Sequence, residues 1–124
     1  MIRAVWIIDE KNSFFRSYEK SDVDYSLISG LLTAIKTFVK DMSGGNVSSI
    51  DLEDRTFVYK ITGEKIFIIY SDEREELDKV FEKLEELCLS IGEKEELSRR
   101  IDKVIESYNR RKRLEKLDEL LQKI

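Results

Sequence analysis

Along residues 2–8, Ile2, Ala4, Trp6 and Ile8 alternate with Arg3, Val5 and Ile7, so both faces of an extended segment are mostly apolar. That pattern predicts a β-strand near the middle of a sheet, covered on both sides. Asp9–Asn12 reads as a turn, and Ser13–Tyr18 as a shorter, more polar strand returning antiparallel to the first. Three more strands are expected at Ser48–Leu52, Thr56–Thr62 and Lys65–Tyr70, with turns at Glu53-Asp54 and Gly63-Glu64. The last of these carries Ile66, Ile68 and Tyr70 on one face and Phe67 and Ile69 on the other, so it belongs beside the first strand at the centre.

Elsewhere the apolar period changes from two to between three and four. Leu27, Ile28, Leu31, Leu32, Ile35, Phe38, Val39 and Met42 predict a helix capped by Asp24 and ended by Gly44-Gly45. Gly30 inside it costs roughly 1 kcal/mol relative to Ala. Its use is either close packing on the sheet or a small-residue contact with a partner. A second helix, capped by Ser71 or Asp72, carries Leu77, Val80, Phe81, Leu84, Leu87, Cys88 and Ile91 up to Gly92. A third begins near Glu93 with Leu97, Ile101, Val104, Ile105 and Tyr108 as its stripe. Arg110-Arg111-Lys112-Arg113 then interrupts the apolar spacing, which resumes at Leu114, Leu117, Leu121 and Ile124 in a different phase. The last segment is therefore expected either to bend or to face another surface, with residues 110–124 forming a helical extension to a domain of residues 1–109. About 11 residues is marginal for an isolated helix, so the extension must dock, on its own sheet or on another subunit. The predicted order is β-β-α-β-β-β-α-α, an α+β architecture built on a five-stranded antiparallel sheet.

Composition narrows the function more than the fold. With 124 residues, 39% charged and 41% apolar, the chain suits one folded domain. The absence of histidine and the single cysteine remove His-based acid/base chemistry, His-ligated metals and multi-thiolate zinc sites. A net charge of −4 disfavours general nucleic-acid affinity. No apolar run approaches the ~20 residues that span a bilayer, and Met1 to Glu10 does not read as a signal peptide. A reducing, cytoplasmic setting is expected. Abundant Glu, Lys and Arg with a single Gln matches heat-adapted composition.

Charge is uneven along the chain. Residues 72–109 carry seven basic and thirteen acidic side chains, whereas 110–124 carry six basic and three acidic. The basic run Arg110, Arg111, Lys112, Arg113 has two readings: a contact with anionic lipid or RNA, or a helix end whose cations complement the dipole and nearby glutamates.

Candidate chemistry is sparse. Asp51, Glu53 and Asp54 cluster at a strand end, where carboxylates can hold a hard cation or simply be solvated; with no Ca-binding loop beside them, solvation is the reading and no metal is expected. Gly44-Gly45 lacks the Lys-Ser/Thr of a phosphate loop, so no nucleotide cofactor is expected. Cys88 and Trp6 fall within apolar stripes and read as core.

The order of elements, opening directly on the strand Ile2–Ile8 and closing on two helices, resembles the longin domain of the roadblock/longin, profilin-like group. The run Leu27-Ile-Ser-Gly-Leu-Leu-Thr-Ala-Ile35 with Phe38, followed by Ser49-Ile-Asp-Leu-Glu-Asp54, resembles small stand-alone longin-like proteins from archaea. The resemblance covers roughly Met1 to Ile105 and implies a sheet order 2-1-5-4-3. It further implies a non-catalytic interaction module, an adaptor or regulatory subunit working with a small Ras-like GTPase or another longin/roadblock protein, as a homo- or heterodimer, in vesicle trafficking or signalling. Family contacts commonly use the first helix and the neighbouring edge strand. Here those are Phe14, Phe15, Arg16 and Tyr18 on the strand, and Ser29, Thr33, Lys36 and Lys40 on the helix. No SNARE heptads accompany the domain, so contact with membranes would be indirect. A different class of reading is a small-molecule sensor with a ligand between sheet and helices.

Overall fold

The computed structural model describes residues 1–9, 13–18, 48–52 and 55–123. Five strands, β1 (Ile2–Ile8), β2 (Ser13–Ser17), β3 (Ser48–Leu52), β4 (Arg55–Thr62) and β5 (Lys65–Ser71), precede helices α1 (Leu77–Ser90) and α2 (Lys94–Gln122). The fold is α+β. The helix expected over Asp24–Met42, with its Gly30 and Gly44-Gly45, lies outside the described residues.

All strand pairs are antiparallel, in the order β2-β1-β5-β4-β3. The two most apolar strands, β1 and β5, are neighbours inside the sheet, where both their faces are covered. β4 and β5 are joined by a two-residue turn in which Gly63 takes a φ of 61°, the left-handed value that a glycine at the first turn position supplies without steric cost.

One sheet face carries Val5, Ile7, Val58, Phe67 and Ile69 against Leu77, Val80, Phe81 and Leu84 of α1 and Ile101, Ile105 and Tyr108 of α2. The opposite face carries Ala4, Trp6, Ile8, Phe57, Tyr59, Ile66, Ile68 and Tyr70, every one buried. Aromatic rings run across it: Trp6 lies 4.9 Å from Phe15 and 6.4 Å from Phe57, and Phe57 stacks on Tyr70 at 4.9 Å.

Strict alternation fails at one place. The β1–β5 register shifts between Ile2 and Ala4, and the extra residue turns Ile2 onto the face of Val5 and Ile7 rather than that of Ala4 and Trp6. There the backbone of Ile2 is held by Asn109 of α2, whose side-chain amide accepts from the Ile2 N–H at 2.7 Å and donates to its carbonyl at 3.0 Å. Strand and helix are thus tied by two buried hydrogen bonds.

One helix boundary differs from expectation. Neither Ser71 nor Asp72 caps α1: Ser71 ends β5 and donates to the Met1 carbonyl, while the Asp72 carboxylate meets Arg3 at 2.6 Å. The helix instead starts after Glu76, which sits in the left-handed region with φ 62°. Of the two outcomes expected after Arg110, the second holds: α2 runs without interruption through the basic run to Gln122, and the leucines beyond it face another surface from the buried line of Ile101, Ile105, Tyr108 and Lys112.

Candidate functional site

β2 and β3 form the two edges of the sheet, and an edge strand presents backbone groups that another chain can pair with. The side chains of β2 are already engaged. Phe14 and Tyr18 pack against the core under the helices, and Phe15 packs on Trp6. Asp102 of α2 receives both Arg16, at 2.9 Å, and the Tyr18 hydroxyl, at 2.8 Å. Burial, with the Asp102 carboxylate beside it, pushes the Tyr18 phenol well above the usual tyrosine range. Of the four strand residues expected to meet a partner, Arg16 is exposed, and Phe14, Phe15 and Tyr18 are half-buried. Ser29, Thr33, Lys36 and Lys40 lie outside the described residues.

The basic run is distributed around α2. Arg111 pairs with Glu76 at 2.8 Å, and Lys112 lies between Glu115 at 3.3 Å and Glu75 at 3.6 Å. Desolvation works against the Lys112 ammonium, but its carboxylate neighbours win and hold its pKa above the usual value. Its stem is buried and its charge lies 5.6 Å from the Tyr108 ring, an arrangement that covers apolar surface while leaving the head among acidic groups. Arg113 Nε lies 3.4 Å from Met1 Sδ, and Arg110 is exposed. Three of the four cations thus have intramolecular contacts.

Tyr108 contributes a further tie, donating its hydroxyl to the Glu75 carbonyl at 2.8 Å, just before α1 begins. Between α1 and α2 lies a groove of about 420 Å³ lined by Val80, Val104 and Tyr108 beneath Lys79, Lys83 and Lys103. Its lining comes from the helices alone, so it is not a space between helices and sheet. Farther along α2, Leu114, Leu117, Leu120 and Leu121 are 52–60% exposed.

Of the carboxylates expected at the strand end, Asp51 is exposed, bonded by Arg74 and by Thr56 at 3.0 Å, and the Arg74 hydrogen bond holds its carboxyl below the usual range. Glu53 and Asp54 lie outside the described residues. Among the described residues no group of three His, Cys, Asp or Glu is placed to hold a metal ion. Cys88 is half-buried against the core, and that burial pushes its thiol up, away from the reactive thiolate. Among the described residues no helix is long and apolar enough to cross a membrane.

Asn109 and Asp102, which join α2 to the sheet, escaped sequence reading because each is a polar letter beside an apolar stripe. The available signal was their spacing from Ile105, which keeps both near the buried side of the helix. No family model and no curated protein matches the chain.

Proposed function

We infer that the chain is a longin-like protein-interaction module without a catalytic centre, serving as an adaptor or regulatory subunit for a small Ras-like GTPase in a trafficking-type or signalling assembly. The observation that carries the reading is the strand order β2-β1-β5-β4-β3, with β1 and β5 central and β2 at an edge. That arrangement is the one the longin resemblance implies. Further support comes from the burial of the Trp6 face, which α1 and α2 do not touch in their shared core with the other face. In this reading the partner surface combines β2 with Ser29, Thr33, Lys36 and Lys40, which lie outside the described residues. The setting is cytoplasmic, the partner is a protein, and membrane contact runs through that partner.

The test is affinity capture with the tagged full chain from its native cells, followed by binding of each recovered GTPase in its two nucleotide states. Recovery of a small GTPase, and weaker binding by Lys36→Glu with an unchanged melting curve, is the expected result. Failure to retain any small GTPase or longin/roadblock protein would remove the reading.

A further inference from the structure

The end of α2 carries an apolar stripe that the described core does not use. The residues of α2 packed on the core, Ile101, Ile105, Tyr108 and Lys112, follow one line along the helix. Leu114 lies nine residues beyond Ile105, which at 100° per residue places it about 180° around the helix. Leu117 and Leu121 share that outward side with Leu114. These three and the neighbouring Leu120 are each more than half exposed.

We propose that these turns of α2 pair with the same turns of a second copy as a short parallel two-stranded coiled coil. Placing Leu114 at a sets Leu117 at d and Leu121 at the next a, the spacing of a coiled-coil seam. Charges on the flanks select the orientation. In a parallel pair each g position meets e of the following heptad on the partner helix, and here Arg113 at g meets Asp118 at e. The pair occurs twice by symmetry. Upstream, Ser107 at a and Arg110 at d end the apolar seam, so pairing is confined to the turns beyond Arg110. Because the seam faces away from the core-packed side, the two domains lie outside the helix pair rather than against it. So short a seam gives a weak dimer. This surface is separate from β2 and the segment Asp24–Met42, and the inference does not depend on a GTPase partner.

Sedimentation equilibrium of the full chain, from micromolar to near-millimolar concentration, tests it. Monomer–dimer exchange is expected, and Leu117→Glu should raise the dissociation constant about a hundredfold or more, since it places two carboxylates in the seam. Its melting curve measured at low concentration should match that of the parent. Asp118→Arg should weaken the dimer several-fold and Arg113→Asp added to it should restore it. In a Cys88→Ala background, Leu114→Cys should form a disulfide between copies readily only in the parallel arrangement. A fixed monomer mass at every concentration overturns the inference, as does monomer binding to anionic vesicles in place of self-association. A dimer indifferent to Leu117→Glu also overturns it while leaving a dimer through β2 standing.

Discussion

Replacing Asn109 by leucine removes the only described side chain that hydrogen-bonds both backbone groups of Ile2, the residue displaced by the β1 irregularity. Ile2 is 1% exposed and Asn109 6%, so a side chain of similar size leaves little room for water to take over. Leaving a buried N–H and a buried carbonyl unpaired costs about 1–3 kcal/mol each. The leucine recovers part of this through its apolar surface, giving a net loss of about 2–4 kcal/mol. For a domain of this length that lowers Tm by roughly 10 °C. Trp6, the single tryptophan and only 5% exposed, reports unfolding by fluorescence in a urea titration. Asn109→Ala is the companion variant: it vacates space for a water molecule, so it should be no more damaging than Asn109→Leu despite losing the same two bonds. A loss below about 1 kcal/mol for the leucine variant, with an unchanged m-value, would show that Ile2 needs no polar partner and refute the argument.

The remaining outcomes concern pH and packing. Tyr18 and Tyr108 are both raised, chiefly by burial, so their neutral forms stabilise the fold below the usual tyrosine range; above it the unfolded chain ionises first and stability falls. Denaturant titrations across alkaline pH should show this decline, and Tyr18→Phe with Tyr108→Phe should flatten it. Hydrogen bonding from Arg100 lowers the Glu96 carboxyl, so its contribution is present above the usual carboxylate range and lost as pH falls through its folded value. Glu96→Gln should therefore leave the neutral melting curve almost unchanged and slightly flatten the acid limb. Leu84→Ala, which opens a fully buried position under α1, should cost about 2–5 kcal/mol in a urea titration.

The strands were legible because their chemistry is local and redundant. β1 and β5 are apolar on both faces, so any antiparallel arrangement that leaves either at an edge would expose Ile, Phe or Trp. The bulge at Ile2 was not legible, because it coincides with a contact to Asn109, 107 residues away, that no local pattern contains. The start of α1 was misplaced for a related reason. Ser71 and Asp72 are good capping residues in isolation, but Ser71 stays in the sheet opposite Thr56 and Asp72 is claimed by Arg3. Competition between distant partners decides such positions, and a local pattern does not contain it. The candidate surface was legible only in outline. β2 was recognised as an edge, yet the capture of Arg16 and Tyr18 by Asp102 depends on how α2 crosses the sheet.

The basic run shows how one observation left two geometries open, a bend or a change of face, and how the structure selects the second. The apolar stripe of α2 does change phase after Tyr108, and a bend is one way to explain it. The helix instead continues because its buried line is carried onward by side chains that do not read as apolar: Asn109 is used for its amide, and Lys112 for its aliphatic stem. Once past Lys112 the described core offers α2 nothing more to cover, and the leucines appear on the opposite side. The phase change therefore marks the point where α2 leaves the described core. If so, substitutions on the two sides of that point should separate cleanly: Ile105→Ala should lower thermal stability at every protein concentration, whereas Leu121→Ala should affect only the concentration-dependent part of the melting temperature. A Leu121→Ala chain destabilised equally at low and high concentration would mean that the outward stripe supports the fold after all.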